Sequence, residues 1–167
     1  MTLVVVTGPP ASGKTTLARV IARELGWPLL AKDDITETLF DALGTGDREW
    51  SMRLGEATMR LLAQLIREQL ASGRSIVAEA NFRRLSDLPP CRVVQVVCEG
   101  DPDELLERYR ERADHPDRHP GHIDRERIAD VGAAIRSGAH DALPLGGAVI
   151  RYRIGDDVLD EVKRCVQ

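Results

Sequence analysis

The sequence predicts an α/β fold in which a parallel β-sheet is covered by helices on both faces. Five short apolar runs alternate along the 167-residue chain with segments of helical periodicity, as in parallel strands joined by helical crossovers. A glycine-rich segment separates the first run from the first helical segment, and polar clusters follow three of the runs. Ligands bind at the carboxyl ends of the strands in such sheets, so these clusters predict one shared site.

The first half of the chain is predicted to hold three strands and three helices. Gly26 and Gly73 follow helical patterns and are typical of helix ends. Apolar residues repeat at helical spacing through a long stretch before Gly73, which predicts one long helix. The predicted strands lie at about residues 2–6, 27–31 and 75–78, and the predicted helices at about 14–25, 35–43 and 48–72.

The second half is predicted to add two strands and three helices. Asp101 is a strong helix start, because Pro102 stands at the first helical position and Glu104 follows three residues after the cap. Residues 113–123 are rich in Pro, His and Gly and are predicted to form a loop. The predicted strands lie at about residues 92–98 and 148–154, and the predicted helices at about 102–112, 124–137 and 158–165.

Composition limits the class of protein. The formal net charge of −4 and the small aromatic content argue against general nucleic-acid binding. Cys91, Cys98 and Cys165 have no zinc-site spacing, and free thiols are expected. We expect no signal peptide, because the first strand is predicted to begin almost at Met1, and no apolar stretch is long enough to span a membrane. A single cytoplasmic domain over residues 1–167 is therefore expected.

Residues 8–15 read Gly-Pro-Pro-Ala-Ser-Gly-Lys-Thr, which is the G-x-x-x-x-G-K-[ST] phosphate-binding loop, or Walker A motif. Gly8 and Gly13 allow close approach of the backbone to a phosphate. Lys14 is expected to reach the β- and γ-phosphates, and Thr15 to ligate Mg²⁺. Thr16 is expected to support the start of the next helix beside the nucleotide. The other predicted nucleotide contacts are the loop residues Pro9, Pro10, Ala11 and Ser12.

Two further polar clusters supply candidate catalytic and substrate-binding residues. Asp33 is the candidate general base for transfer to a hydroxyl, and Asp34 is a candidate N-cap of the next helix. The alternative is that both residues only cap that helix. Glu79 is predicted either to hold Mg²⁺ through water or to pair with Lys32 or Arg83. Asn81 and Arg83, with Arg84, form a polar turn that could hold the acceptor.

A third set of candidates lies in a predicted lid at about residues 105–125. Arg108 and Arg112 stand on one helix face. Arg108 is a candidate contact to the nucleotide, and Arg112 is adjacent to the loop, where it could close on the transferred phosphoryl group. Both could instead belong to a solvated, salt-bridged face. Arg118 is a further candidate contact to phosphate or substrate. His115, His119 and His122 suggest a metal site, but Pro116 and Pro120 favour a polar lid tip instead.

Together these motifs resemble the small phosphate-loop kinases. The chain is similar to the kinase domain of bacteriophage polynucleotide kinase and to the predicted AAA-type kinases of bacteria, and more distantly to chloramphenicol phosphotransferase and gluconate kinase. The resemblance rests on four patches: residues 8–15, the basic-Asp-Asp segment 32–34, the strand and turn 76–84, and the lid helix with Arg108 and Arg112. Glu79 departs from the phage enzyme, which has Asp at that place.

The resemblance implies a P-loop NTPase fold with a five-stranded parallel sheet in the order 2-3-1-4-5 and a helical lid. It implies an ATP- and Mg²⁺-dependent kinase that phosphorylates a hydroxyl, with Asp33 as the base and Arg112 as the catalytic arginine. A small acceptor such as a sugar, a nucleoside or an antibiotic is expected, because the chain is acidic overall. The alternatives are a 5′-hydroxyl polynucleotide kinase, with nucleic acid as partner, and a nucleotide-driven switch or regulatory module.

Overall fold

The computed structural model describes residues 1–167 and contains one five-stranded parallel sheet. The strand order is β2-β3-β1-β4-β5, so the predicted α/β phosphate-loop fold and its strand order are confirmed. The strands are β1 Thr2–Thr7, β2 Leu29–Ala31, β3 Ile76–Glu79, β4 Arg92–Cys98 and β5 Ala148–Tyr152. The helices are α1 Lys14–Leu25, α2 Lys32–Leu43, α3 Arg48–Ala71, α4 Pro102–Ala113, α5 Asp124–Arg136 and α6 Leu159–Val166, with a 3₁₀ turn at Pro120–His122.

The central strand β1 is buried on both faces, and its side chains alternate between two cores. Val4 and Val6 belong to the core that includes buried residues of α1, while Leu3 and Val5 belong to the core that includes buried residues of α3. α6 adds Val162 to the first core. Covering both faces explains why the strands read as continuous apolar runs. The parallel pairing of β1 with β3 places their carboxyl ends side by side, with Val6 opposite Glu79.

Helix α2 begins three residues earlier than the sequence predicts. β2 ends at Ala31, which is extended and is the N-cap of α2, so Lys32, Asp33 and Asp34 form the first helical turn. The N-cap prediction for Asp34 is therefore wrong, and this carboxylate instead accepts a hydrogen bond from Arg19 at 2.9 Å. Acidic residues in a first turn are stabilised by the helix dipole, which helps the helix to begin without a side-chain cap.

Residues 114–123, here called the α4–α5 connection, contain more structure than the predicted loop. Pro120 begins the 3₁₀ turn, and the Gly121 N–H donates to Nδ1 of His119. The His119 ring stacks on Phe40 of α2 at 5.4 Å between centroids, and a Cβ on Gly121 would lie 2.5 Å from the Phe40 ring. Ser51 of α3 donates to the Gly121 carbonyl at 2.9 Å. The connection is therefore fastened to α2 and α3.

Two other features of the chain bear on the sequence predictions. All three cysteines are free thiols, and burial raises the pKa of Cys98 to about 12. None of the helices is both long enough and apolar enough to cross a bilayer.

Candidate active site

The phosphate loop joins β1 to α1 in a tight turn that only glycine fits at its first position. Gly8 has φ +141°, and a Cβ there would lie 2.3 Å from the carbonyl oxygen of Cys98. Gly13, the N-cap of α1, has φ +81°. The Ser12 hydroxyl and the Lys14 ammonium both donate to the Pro9 carbonyl, at 2.8 and 2.7 Å. These bonds hold the loop around the N-terminus of α1, where backbone N–H groups favour an anion.

Lys14, Thr15 and Glu79 form a buried polar cluster at the ends of β1 and β3. The Thr15 hydroxyl donates to Oε2 of Glu79 at 3.2 Å. Burial lowers the pKa of Lys14, and the nearby charges of Glu79, Cys98 and Asp33 oppose that shift. Burial likewise raises the pKa of Glu79, and Lys14 opposes it. Glu79 is bonded to Thr15 and to neither of its two predicted partners, Lys32 and Arg83.

Asp33 faces this cluster from the first turn of α2. Lys32 Nζ lies 3.3 Å from Oδ1 of Asp33, and Arg118 NH1 lies 3.4 Å from Oδ2. Burial acts to raise the pKa of Asp33, but the positive charges of Lys32, His122, Arg118 and Arg112 together hold it well below its usual range. Asp33 is therefore an ionised carboxylate that can accept a hydrogen bond from a hydroxyl.

Arg118 is the centre of an ion-pair network that the sequence did not reveal. Its Nε donates to Oδ2 of Asp124 at 2.7 Å, and its NH1 reaches Asp33 and Glu37 at 3.4 Å each. The Tyr109 hydroxyl donates to Oδ1 of Asp124 at 2.8 Å. Burial acts to raise the pKa of Asp124, but the bonds from Arg118 and Tyr109 lower it below its usual range. The only signal in the sequence was that Asp124 begins a helix.

Arg112 and Arg108 lie on α4 as predicted, but their surroundings differ. The Arg112 guanidinium lies over the Tyr109 ring at 5.1 Å from its centroid, and its NH2 is 3.7 Å from Asp124. Its Nε is buried without a hydrogen-bond partner. Arg108 is half-exposed and 3.9 Å from Glu104. Arg112 is therefore held in place with one N–H donor unused, whereas Arg108 is held loosely.

The candidate residues line two cavities at this edge of the sheet. A cavity of about 450 Å³ is lined by the phosphate loop and the arginines of the α4–α5 region. It contains Ala11, Gly13, Lys14, Thr15, Thr16, Asp33, Arg108, Arg112 and Arg118. A cavity of about 610 Å³ lies beside it and shares Lys14, Thr15, Asp33, Arg112 and Arg118. Its wall also contains Pro10, Glu79, Asn81 and Arg83. The structure thus brings most of the predicted residues into one region.

The histidines of the α4–α5 connection have individual partners. His119 contacts Asp41 at 3.2 Å, and His122 contacts Glu37 at 2.8 Å. Burial is the main reason that the pKa of His122 lies below its usual value. No group of three His, Cys, Asp or Glu side chains that could hold a metal ion is present.

Two residues of the larger cavity had no signal in the sequence. Arg127 is on α5, and His140 follows that helix; both line the 610 Å³ cavity. Neither residue is part of a motif, so only the fold could place them here.

Comparison with known proteins identifies the family. A family model described as an AAA domain matches residues 3–136 of the chain. The chain belongs to this AAA-domain family. The family assignment spans the phosphate loop, Asp33, Glu79 and the arginines of α4. Its fold is the P-loop kinase fold, and its phosphate loop is a nucleotide-binding element.

Individual proteins that resemble this AAA-domain chain include kinases. A protein of Chloroflexus aurantiacus j-10-fl that has been proposed to be a kinase is 34% identical to this chain. Its crystal structure matches with a TM-score of 0.86 over 99% of this chain and 98% of that protein. The cytidylate kinase of Archaeoglobus fulgidus is 31% identical over 81 residues, which cover 47% of this chain but only 45% of that enzyme. A sugar kinase of Janibacter sp. HTCC2649 is 18% identical with a TM-score of 0.58 over 98% of this chain and 92% of its own, a likeness of fold alone.

Proposed function

We propose that this protein is an ATP-dependent kinase that transfers the γ-phosphoryl group to a hydroxyl of a small acceptor. The observation that carries the proposal is the shared wall of the two cavities. Lys14 and Thr15 of the phosphate loop, the Asp33 carboxylate and the Arg112 guanidinium all line both. A donor phosphate and an acceptor hydroxyl can therefore meet between a cationic loop and an ionised carboxylate, as phosphoryl transfer requires.

The phosphate loop and the residues around it fit ATP and Mg²⁺. Residues 8–16 would hold the β- and γ-phosphates through backbone N–H groups and Lys14, and the unpartnered Nε of Arg112 provides a further donor. Thr15 would ligate Mg²⁺, with Glu79 bound to the same ion through water, since both offer oxygen atoms 3.2 Å apart. The ion would neutralise charge on the phosphates.

Asp33 and Arg112 act on opposite sides of the transferred group in this mechanism. The acceptor oxygen forms a bond to the γ-phosphorus, the bond from that phosphorus to the bridging oxygen of ADP breaks, and the hydroxyl proton passes to Asp33. Because the transition state of phosphoryl transfer is loose, Asp33 mainly orients the hydroxyl and takes its proton late. Arg112, with Lys14, stabilises the charge on the equatorial oxygens.

We further propose that residues 1–167 act as one kinase domain and that residues 105–125 form its lid. The lid supplies Arg108, Arg112 and Arg118 to the smaller cavity. Closing them over the phosphates would exclude water and protect the donor from hydrolysis. Arg118 has a second role here, since its bonds to Asp124 and Asp33 join the lid to the acceptor side.

The class of acceptor is tested directly by transfer of labelled γ-phosphate from Mg²⁺-ATP across a panel. The panel contains sugars, nucleosides, hydroxylated antibiotics, cytidine monophosphate and 5′-hydroxyl oligonucleotides, with an acceptor-free control. Label on a small alcohol supports the proposal. Label only on an oligonucleotide supports the polynucleotide kinase alternative, and label on the phosphate of cytidine monophosphate supports a nucleotide kinase. Equal, slow phosphate release in every well supports a nucleotide-driven switch.

Two variants connect any observed transfer to this site. Lys14→Ala should abolish transfer, because the phosphates lose their cation. Asp33→Asn should lower kcat about a hundredfold while ATP binding survives, because the amide cannot take the proton. Arg74→Ala is the matched control, since Arg74 is exposed, has no ion pair and lies outside both cavities. Normal turnover by Asp33→Asn would leave Asp33 with only a structural role.

A further inference from the structure

The charges that line the 610 Å³ cavity are not balanced. Each carboxylate in its wall is already bonded to another side chain, and those carboxylates are Asp33, Glu56, Glu79, Asp124 and Asp130. Three arginines in the same wall, Arg83, Arg84 and Arg127, have neither an ion pair nor a side-chain hydrogen bond. The cavity therefore has an excess of positive charge that no residue of the chain neutralises.

This excess lies apart from the part of the site that would hold the nucleotide phosphates. Lys14, Arg112 and Arg118 line both cavities, whereas Arg83 and Arg127 line only the larger one of the two. Arg83 follows β3, and Arg127 is in the first turns of α5, so two separate segments contribute to the patch. The γ-phosphate would use the shared cations, and Arg83, Arg84 and Arg127 remain for the acceptor. Of the adjacent residues Arg83 and Arg84, Arg83 is the one whose charge acts on His140 in the same wall.

His140, in the wall of the same cavity, is a polar side chain without a hydrogen-bond partner. His140 is only 9% exposed, and neither nitrogen of its ring has a hydrogen-bond partner. Burial, followed by the charges of Lys14 and Arg83, lowers the pKa of His140 below its usual value, so the ring is neutral at pH 7. A neutral imidazole keeps one N–H donor and one acceptor nitrogen. A buried polar group without a partner is costly, and a bound ligand would supply the partner.

We propose that the acceptor is an alcohol that also carries an anionic group, bound by Arg83 and Arg127, with a hydrogen bond to His140. The inference rests on the proposed kinase function and names the substrate class for the same site. Guanidinium groups recognise carboxylate and phosphate groups through the same paired N–H geometry, so the shared chemistry is an oxyanion on a small polyol or sugar. The acceptor thus binds through its anionic group, and its hydroxyl remains free to donate a hydrogen bond to Asp33.

The test compares pairs of related acceptors in which only one member carries an anionic group. Transfer from Mg²⁺-ATP is measured for glucose against glucose 6-phosphate, and for glucitol against gluconate. The expected result is a kcat/KM at least about tenfold higher for the anionic member of one pair, the effect of one hydrogen bond to a charged group. The pair that responds identifies phosphate or carboxylate as the anion. Equal kcat/KM within both pairs would overturn the inference while leaving the kinase function standing.

Variants assign the preference to the proposed residues. Arg83→Gln and Arg127→Gln should each raise KM for the anionic acceptor about tenfold, with a smaller effect on kcat, and so reduce the preference. Arg74→Gln, an exposed arginine outside the cavity, should leave it unchanged. His140→Phe should also raise KM, whereas His140→Asn should restore binding because the amide retains a donor. An anion preference that survives both arginine variants would refute the assignment.

A binding measurement separates this inference from the kinase proposal. The protein is saturated with Mg²⁺ and a non-hydrolysable ATP analogue, which fills the phosphate loop, and thermal stabilisation by glucose 6-phosphate and by gluconate is then measured. If no acceptor receives phosphate but one anion stabilises the complex through Arg127, the anion site stands and the kinase proposal fails. If there is neither transfer nor stabilisation by either anion, the inference is overturned.

Discussion

Replacing Arg118 with Ala should destabilise the protein more than its place in a connecting segment suggests. The variant removes the 2.7 Å bond to Asp124, whose side chain is only 4% exposed, and the Arg118 side chain itself is 14% exposed. Removing one partner of a buried ion pair costs about 3–5 kcal/mol, because the remaining charge stays buried. Tyr109 and Arg112 still contact Asp124, so we expect the lower end, about 3 kcal/mol. The two 3.4 Å contacts to Asp33 and Glu37 are longer and add little.

Urea denaturation at pH 7 measures this loss as a lower midpoint with an unchanged slope. By heat, the same loss corresponds to about 6–12 °C in Tm, at roughly 2–4 °C per kcal/mol for a chain of this size. The matched control is Arg125→Ala, since Arg125 pairs with Asp114 in the same region, but the two side chains are 75% and 64% exposed. An exposed pair contributes only about 0–1 kcal/mol.

The comparison of these two variants decides whether burial gives the Arg118 pair its strength. Equal losses in Arg118→Ala and Arg125→Ala would refute the reasoning, because exposure would then not matter. A loss in Arg118→Ala that disappears in 1 M salt would also refute it, since salt screens exposed pairs strongly but buried pairs weakly.

Three further predictions concern the phosphate loop, the metal and the response to pH. Gly8→Ala should abolish ATP binding and lower Tm sharply, because the new Cβ would overlap a backbone carbonyl. Gly73 also has a positive φ but lies in open space, so Gly73→Ala should lower the free energy of unfolding by only about 1–2 kcal/mol. Glu79→Gln should raise the Mg²⁺ concentration for half-maximal transfer about tenfold, as expected for a residue that supports a metal ligand, and an unchanged requirement would exclude that role. Stability should fall as the pH drops below about 6.5, because His122 and His140 have lowered pKa values in the folded protein and the unfolded chain therefore takes up protons first. His140→Asn should flatten this dependence of stability on pH. Urea midpoints measured from pH 7.5 to 5 would show the difference.

The sequence was sufficient for the sheet and the phosphate loop because both are encoded locally. Apolar runs of strand length mark the buried strands, and the loop motif is contiguous in residues 8–15. The sequence pattern predicts the start of α2 three residues too late, because Ala31 caps the helix without any side-chain signal. Local pattern therefore predicts elements well, but it cannot identify a helix end that has no polar cap.

The ion-pair network and the larger cavity could not be predicted because their members are distant along the chain. Arg118 and Asp33 are 85 residues apart, and nothing in either segment indicates the other. Asp124 has the sequence pattern of a helix start, and that pattern does not indicate that Asp124 is the buried partner of Arg118. His140 lies outside every motif, and only its position in the fold shows that its ring nitrogens are unsatisfied. Burial and pairing are properties of the folded chain, so periodicity and spacing do not contain them.

The packing of Gly121 and His119 against Phe40 has a consequence for the energetics of binding. Phe40 is on α2, the helix whose first turn carries Asp33, so the α4–α5 connection and the candidate base are parts of one packed unit. A displacement of the connection toward the phosphate loop would displace α2 as well. Binding of the nucleotide and binding of the acceptor would then act on the same equilibrium, and each would raise the affinity for the other by the same factor. Substituting Phe40 should therefore weaken the synergy between the two substrates, although Phe40 lines neither of the two cavities.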